Sequence, residues 1–333
     1  MRALFIGGTG VISSACSRVA VERGIDLFLF NRGQTERPIP SGARLLRGDI
    51  RDSASVRCAL GTTRFDVVAT WLSFLPEHVQ ADIELFRDRT QQYIFVSSAT
   101  VYQKPIPRLP ITESTPLGNP FWAYARGKIE CEERLMQAYR DTGFPATIVR
   151  PSHTYDRTKV PLLGYYTDID RMRRGKKVIV HGDGSSLWVL THHEDFAAGF
   201  VELLGSSQAI GQAFHITSDE VLTWDQIYTT LARAAGVEPR IVHVPSDTIA
   251  AFDAGLGERL LGDKAHSVLF DNSKIKGLVP GFAATIPFSQ GAREIVDWHD
   301  ADPRRRVVDR ATDALFDRII AAQEAAGAAR RGP

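Results

Sequence analysis

Ala3-Leu4-Phe5-Ile6-Gly7-Gly8-Thr9-Gly10-Val11-Ile12-Ser13 decides how this 333-residue chain folds. The first four residues form an unbroken apolar run, the pattern of a strand buried on both faces of a sheet. A glycine-containing turn follows, then a helical segment to about Arg23 and a second apolar run, Leu27-Phe28-Leu29-Phe30. That is a βαβ unit with Gly7 and Gly10 at its first turn. Glycine there permits a tight turn and lets the backbone, through Val11 and Ile12, approach a pyrophosphate resting on the helix N-terminus.

The alternation continues outward from this unit. Leu45-Leu46-Arg47, Val67-Val68-Ala69-Thr70, Tyr93-Ile94-Phe95-Val96 and Ala146-Thr147-Ile148-Val149 read as further strands. Pro76 opens a helix with Val79, Ile83 and Phe86 at helical spacing. Strands alternating with helices predict an α/β fold with a mostly parallel sheet covered on both faces. After Val149 the pattern loosens. Thr223-Trp224-Asp225-Gln226-Ile227 carries a capping pattern that opens a helix, and Arg240 to Pro245 reads as a strand outside the main sheet.

Composition bounds the function. A formal net charge of +1 gives no general reason to expect nucleic acid or an anionic membrane as partner. Cys16, Cys58 and Cys131 are scattered and odd in number, which fits neither a disulfide framework nor a zinc-ligand spacing, so a cytoplasmic location is expected. No apolar run is long enough to span a membrane, and Met1 leads directly into a strand rather than a signal peptide. Adjacent His192 and His193 would point to opposite faces of an extended strand, so no metal site is expected. Arg304-Arg305-Arg306 and Arg330-Arg331 read as solvated charges, and Ile319 to Ala329 as a terminal helix.

Tyr124 and Lys128 are four apart in Trp122-Ala123-Tyr124-Ala125-Arg126-Gly127-Lys128, so a helix there sets a phenol and an ammonium on one face. A free tyrosine has a pKa of about 10, and a fixed positive charge beside it favours the phenolate. Such a group takes a proton from a substrate hydroxyl as hydride leaves the same carbon. Ser98, in Ser97-Ser98-Ala99-Thr100-Val101-Tyr102, is the donor expected to steady the alcohol oxygen.

The glycine motif, the serines after an apolar run and the Tyr-x-x-x-Lys pair together resemble the extended short-chain dehydrogenase/reductase family, the NAD-dependent epimerases and dehydratases, over roughly residues 1 to 300. The serine stretch is most similar to the UDP-galactose 4-epimerase version. The resemblance implies a Rossmann-type doubly wound parallel sheet with a smaller C-terminal substrate-binding lobe. The expected division is a dinucleotide-binding domain over 1–155, with 185–220 returning to it, a substrate lobe over 156–184 and 221–300, and a C-terminal helix or tail over 301–333. It implies Ser98, Tyr124 and Lys128 as catalytic residues. The implied contacts to NAD, with NADP as the alternative, are Gly7, Gly10, Val11, Ile12, Asn31, Arg32, Asp49, Ile50, Leu72, Ser97, Tyr124, Lys128, Pro151 and His153. The implied contacts to substrate are Ser98, Thr100, Tyr124, His153 and Trp188. A homodimer built on the Pro76 and Tyr124 helices is implied as well.

Departures from the family pattern shape the expectation. Ser13 replaces the usual third glycine at some cost in helix–strand clearance. Asn31 and Arg32 stand where a carboxylate would report NAD, which leaves NAD against NADP open. Asp49 reads as an adenine-edge contact or as a turn or capping aspartate. Trp71 and Phe74 are bulky for a loop along a cofactor and read as core or site. Ala99 and Thr100 replace the dehydratases' Asp-Glu pair, leaving His153 as a residue that could serve another elimination. Trp188 replaces a phosphate-binding arginine and reads as a stacking surface or as core. The expectation is an epimerase or dehydratase working through a transient keto intermediate on a sugar nucleotide, nucleoside or related sugar derivative. Alternatives are a dehydratase of a nucleoside-type substrate without diphosphate, a one-way NAD(P)-dependent oxidoreductase, and a non-catalytic nucleotide-binding regulator.

Overall fold

The computed structural model describes residues 1–35 and 37–331, and side chains up to residue 327. Strands β1 (Arg2–Ile6), β2 (Asp26–Asn31), β3 (Arg44–Arg47), β4 (Phe65–Thr70), β5 (Thr90–Val96) and β6 (Ala146–Pro151) alternate with helices α1 (Ser13–Glu22), α2 (Ser53–Leu60), α3 (Pro76–Phe86) and α4 (Ala123–Thr142). The next strands are β7 (His153–Tyr155), β8 (Lys177–His181), β9 (Leu187–Trp188), β10 (Leu190–His192) and β11 (Ala213–Ile216), with helices α5 (Tyr166–Arg173) and α6 (His193–Glu202) between them. Seven strands form one parallel sheet in the order β11-β6-β5-β4-β1-β2-β3. The α/β, doubly wound reading of the sequence therefore holds.

Strand order reverses between β1 and β4, and the crevice beyond the carboxyl ends of such strands is where ligands bind in open parallel sheets. Leu4, Phe5, Ile6, Val67, Val68 and Ala69 are fully buried because helices cover both faces. On one face Val79, Ile83 and Phe86 of α3 pack with Val68, Tyr93 and Phe95. The helix predicted from Pro76 thus spends its apolar stripe on its own sheet.

The chain continues with β12 (Leu222–Thr223), β13 (Arg240–Val244), α7 (Trp224–Ala234), α8 (Ser246–Phe252), α9 (Ala254–Arg259), α10 (Ser273–Leu278), α11 (Phe288–Asp300) and α12 (Arg310–Arg331); most of these form a lobe apart from the main sheet, but α10 returns to the sheet, with Ile275 packed among Phe5, Phe214 and Ile216. Thr223 caps α7 through a capping box with Gln226, and β13 is a strand outside the main sheet, both as expected; β13 runs parallel to β8. From Leu187 to His192 the chain forms short strands, β9 antiparallel to β12 and β10 parallel to β7. The following α6 packs on α1.

Residues 301–331 are more ordered than a tail. Leu315, Phe316, Ile319 and Ile320 of α12 share a core with Ile179, Val244, Ile249 and Leu260. Buried Arg171 ties α5 to this helix through Asp313 and Asp317. Arg304 pairs with Asp302 at 2.8 Å, Arg305 lies 4.4 Å over Trp298 and Arg306 pairs with Asp300, so the three charges expected to be solvated each have a protein partner. The Arg330 and Arg331 side chains lie outside the described ones.

Candidate active site

β1 delivers Gly7 and Gly8 into a turn that only glycine follows easily, with φ of +109° and +83°. A Cβ on Gly8 would stand 2.6 Å from Leu29 Cδ2, so that position also serves close packing on β2. Gly8 was not singled out in the sequence because its need appears only once β2 is alongside. Ser13 is no burden on the turn: its Oγ accepts from the Gly10 N–H at 2.8 Å. Ile12 precedes α1 with no side-chain cap, leaving first-turn N–H groups of the helix for other acceptors.

At the end of β2, Asn31 is committed to the same turn. Its Nδ2 donates to the Gly7 carbonyl at 3.1 Å and its Oδ1 accepts from the Gly33 N–H at 2.8 Å. Arg32 is exposed beside it. Asp49 accepts from the Arg51 N–H at 2.9 Å, a turn-forming role, while the cap of α2 is Asp52. Of the two aromatics after β4, Trp71 packs 4.8 Å from Phe5 and 5.3 Å from Phe200, whereas Phe74 stays exposed at the cleft.

α4 carries Tyr124 and Lys128, as expected for a helix beginning at Ala123. Lys128 is 1 % exposed, so its ammonium must be held by protein groups. It donates to the carbonyls of Ser73 and Val96 at 2.8 and 2.9 Å and lies 4.8 and 4.6 Å from the Phe74 and Phe95 ring centres. Burial pulls its pKa down to about 8. Ser98 Oγ accepts from the Thr100 N–H and hydroxyl at 3.2 and 3.0 Å, which leaves its own proton to donate outward.

The Tyr124 phenol corrects one expectation. Its pKa in the protein alone is raised, first by burial and then by Asp263, with the Ser98 hydrogen bond working in the lowering direction. Lys128, whose ammonium donates to two backbone carbonyls, is not among the groups that shift it. The tyrosine and lysine are instead linked through Phe74, whose ring lies 6.4 Å from that of Tyr124.

His153 and Trp188 form a pair. Trp188 Nε1 donates to His153 Nδ1 at 3.1 Å, so the proton of the neutral ring sits on Nε2. Burial first, then Lys264 and Lys159, push the His153 pKa well below its ordinary value. His153 in this tautomer can donate from Nε2. Trp188 is 3 % exposed and packs 5.2 Å from Trp224, so it is core with one edge at the cleft wall, not a stacking platform.

His192 and His193 do not diverge as extended residues would. His192 ends β10 and His193 begins α6, which brings the rings to 4.7 Å. His192 pairs with Glu294, and among the described residues no group of three or more His, Cys, Asp or Glu could hold a metal. No described helix is long and apolar enough to cross a membrane.

Every residue picked out for cofactor, catalysis or substrate lines one cavity of about 1200 Å³ at the carboxyl ends of the strands, with Trp188 present only by its edge. Ser97 Oγ is buried on this wall with no hydrogen-bond partner, a donor and acceptor suited to a ligand. The uncapped start of α1, the glycine turn and this orphaned hydroxyl together fit a dinucleotide. The same cavity is lined by Arg51, His78, Lys159, Tyr165, Arg259, Asp263 and Lys264, which sequence reasoning missed. Most of these come from the lobe, where no periodic pattern or motif marks a residue that faces the cleft.

Comparisons with known proteins accord with this geometry. Residues 82–217 match the model of the NAD dependent epimerase/dehydratase family. The chain is 29 % identical over 255 residues to the chloroplast stem-loop binding protein of 41 kDa b of Arabidopsis thaliana, covering 72 % of this chain and 65 % of that protein. It is 30 % identical over 169 residues to UDP-glucose 4-epimerase of Lactobacillus helveticus, covering 45 % of this chain and 51 % of that enzyme. The chain thus spans less than two thirds of these two relatives. The fold matches UDP-glucuronic acid 4-epimerase from Bacillus cereus, solved with UDP-glucuronic acid and NAD, with a TM-score of 0.74 and 18 % identity over 90 % of this chain and 99 % of that one. It also matches dTDP-glucose 4,6-dehydratase from Bacillus anthracis, solved with NAD, with a TM-score of 0.72 and 17 % identity over 91 % and 98 %.

Proposed function

We propose, from the premise that residues 82–217 are a domain of the NAD dependent epimerase/dehydratase family, that this chain is an NAD(P)-dependent enzyme that oxidises a sugar hydroxyl transiently and then epimerises or dehydrates the product. The observation that carries the reading is the convergence of Ser98, Tyr124 and Lys128 on the cavity that also holds the glycine turn. A bound nicotinamide dinucleotide supplies a hydride acceptor and, when oxidised, a positive charge. Gly7, Gly10, Val11 and Ile12 would hold its pyrophosphate, Asp49, Ile50 and Leu72 would lie toward its adenosine half, and Ser97, Pro151 and His153 toward its nicotinamide half.

Within that frame Ser98 donates to the alcohol oxygen while Tyr124 removes the hydroxyl proton. Lys128 holds the α4 start against β5 and the Ser73 loop through its two carbonyl bonds. Positive charge close to Tyr124 is what burial makes necessary, since the phenol alone resists ionisation. The keto intermediate would take hydride back on its opposite face to give the epimer, or would first lose a neighbouring group and then take hydride back, so that the cofactor ends oxidised on either route. Asn31 leaves the ribose without a free carboxylate and Arg32 is exposed beside it, which favours acceptance of a 2′-phosphate; NADP is therefore proposed alongside NAD. The division of the chain into a dinucleotide domain and a lobe, a homodimer through α3 and α4, and a cytoplasmic location belong to the same reading.

The test is a cofactor-loaded protein incubated with a panel of sugar derivatives, followed by product analysis and absorbance of reduced cofactor. Conversion without net reduced cofactor is the expected result; stoichiometric accumulation of it points to a one-way oxidoreductase. A second reading rests on the plant relative named for stem-loop binding. Tight stem-loop RNA binding without any turnover of the panel would favour it.

A further inference from the structure

We propose that Asn119 is a positioning residue: its buried amide holds the Ser98 hydroxyl and the Tyr124 phenol at one spacing and ties both to the lobe at Gly262. This rests on the reading above for the reaction, but on a residue that stands behind the cavity wall. Asn119 is 4 % exposed, so its amide atoms must find their partners inside the protein. Its Nδ2 donates to the Thr100 carbonyl at 3.0 Å and to the Gly262 carbonyl at 2.7 Å. Its Oδ1 accepts from the Phe121 and Trp122 N–H groups at 3.2 and 3.1 Å. Two donated and two accepted bonds are the full capacity of an amide. With carbonyls on one side and N–H groups on the other, only one orientation of it satisfies them.

These bonds lead to different parts of the reacting centre. Thr100 is the residue whose N–H and hydroxyl both donate to Ser98 Oγ, so the carbonyl held by Asn119 belongs to the short turn Ala99–Val101 that orients the serine. Phe121 and Trp122 carry the chain into α4, and Tyr124 follows two residues later. Backbone and side-chain bonds keep Asn119 between the two: the Gly118 N–H donates to the Val101 carbonyl at 2.9 Å, and Arg126 reaches back from α4 to the Pro120 carbonyl at 3.1 Å. Ser98 and Tyr124 must meet at one alcohol oxygen although they sit on separate elements. Asn119 is bonded to both elements.

The remaining bond reaches the lobe. Leu260–Lys264 is a single π-helical turn, a form that concentrates at functional sites, and its Asp263 and Lys264 line the cavity. Gly262 lets this turn come against the entry to α4, since a Cβ there would stand 2.7 Å from Trp122 Cβ and 3.1 Å from Asn119 Oδ1. One side chain thus links the seating of the lobe to the distance between Ser98 and Tyr124.

The experiment measures single-turnover rates and NAD affinity, with glucose, glucuronate and UDP-glucose as probes, for wild type, Asn119→Ala, Asn119→Asp and Gly262→Ala. Asn119→Asp keeps an acceptor for the entry to α4 but loses the donors to Thr100 and Gly262. Turnover should fall about 10- to 100-fold in all three variants while the NAD dissociation constant stays within about twofold, because a small displacement of reacting groups is costly and the glycine turn is untouched. In a Ser98→Ala background the Asn119→Ala loss should shrink to less than about threefold, whereas a residue serving the fold alone lowers the rate by the same factor in both backgrounds. Equal factors, or wild-type turnover in Asn119→Asp and Gly262→Ala, overturn the proposal. If wild type converts no probe, hydrogen exchange decides instead. Joint loss of protection over 98–102, 120–126 and 260–265 in Asn119→Asp supports the tether, and loss confined to 120–126 overturns it. A protein that binds no nicotinamide cofactor refutes the reading of the cleft alone, and the same exchange measurement is then made on the free protein.

Discussion

The two sides of the cleft solve the problem of charge in opposite ways. Around the glycine turn, short polar side chains are tied to the backbone they sit beside: Ser13 to Gly10, Ser17 to Gly8, and Asn31 to Gly7 and Gly33. The result is a preformed cradle whose shape depends on glycine geometry and local hydrogen bonds. Across the cleft, Lys159, Arg259 and Lys264 stand with few or no counter-charges. The comparison sets a cradle held by its own hydrogen bonds against a wall that presents positive charge to the cleft.

Tyr124 sits where the two sides meet, and its removal should have the largest effect. Tyr124→Phe is expected to lower turnover about 10²- to 10⁴-fold while leaving the melting temperature and cofactor affinity near wild type. Single-turnover kinetics with cofactor-loaded protein measure this, and a variant within twofold of wild type breaks the mechanism.

Next comes the lobe's own foundation. Asp168 is fully buried, accepts from the Gly164 N–H at 2.7 Å, and so braces the segment that presents Lys159 and Tyr165. Burial raises its pKa to about 7. The native state then binds more protons than the unfolded chain between about pH 4 and 7. Its contribution to stability is present below that window and is lost as pH climbs through it. Asp168→Asn should remove this slope, a difference on the order of a few kcal/mol between the pH limits. Urea unfolding of both proteins at several pH values checks it, and parallel pH profiles would show that Asp168 is not the source.

On the sheet side, Gly8→Ala is expected to cost about 1–3 kcal/mol, from positive φ together with contact on Leu29. Cofactor affinity should fall with it, because the cradle is one unit. Retained stability with lost affinity would mean the turn is flexible, against the contrast drawn here. The smallest effect is expected at Arg32: Arg32→Ala should weaken NADP about tenfold and NAD hardly at all, consistent with one charge-assisted phosphate contact. Equal losses would assign Arg32 to adenine stacking.

The sheet and its cradle were legible because they rest on local regularities. An apolar run such as Ala3 to Ile6 has few stable fates, the strand–glycine–helix order of the βαβ unit repeats the same geometry, and a four-residue interval on a helix sets Tyr124 above Lys128 by construction. These features determined the fold class and brought the predicted residues to one cavity. What Lys128 bonds to was not legible, because the carbonyls of Ser73 and Val96 approach it from two other elements. Nor was the fate of Trp188, since an indole reads alike as core or platform until Trp224 and His153 are found against it. The same holds for His192 and His193, where the start of α6 overrode the strand geometry assumed for them.

By itself the sequence determined the parallel sheet, the glycine turn and a helix that sets Tyr124 four residues before Lys128, because each follows from a pattern within a short stretch; Ser98 joined that pair only through the family resemblance. Only the tertiary structure decided that Lys159, Arg259, Asp263 and Lys264 face the same cleft as these three residues. They come from segments of the lobe that share no period and no motif with one another or with the sheet. Their meeting depends on how α9 and the segment before α5 pack over the crevice, and burial and unmatched charge are properties of that packing, not of any residue alone.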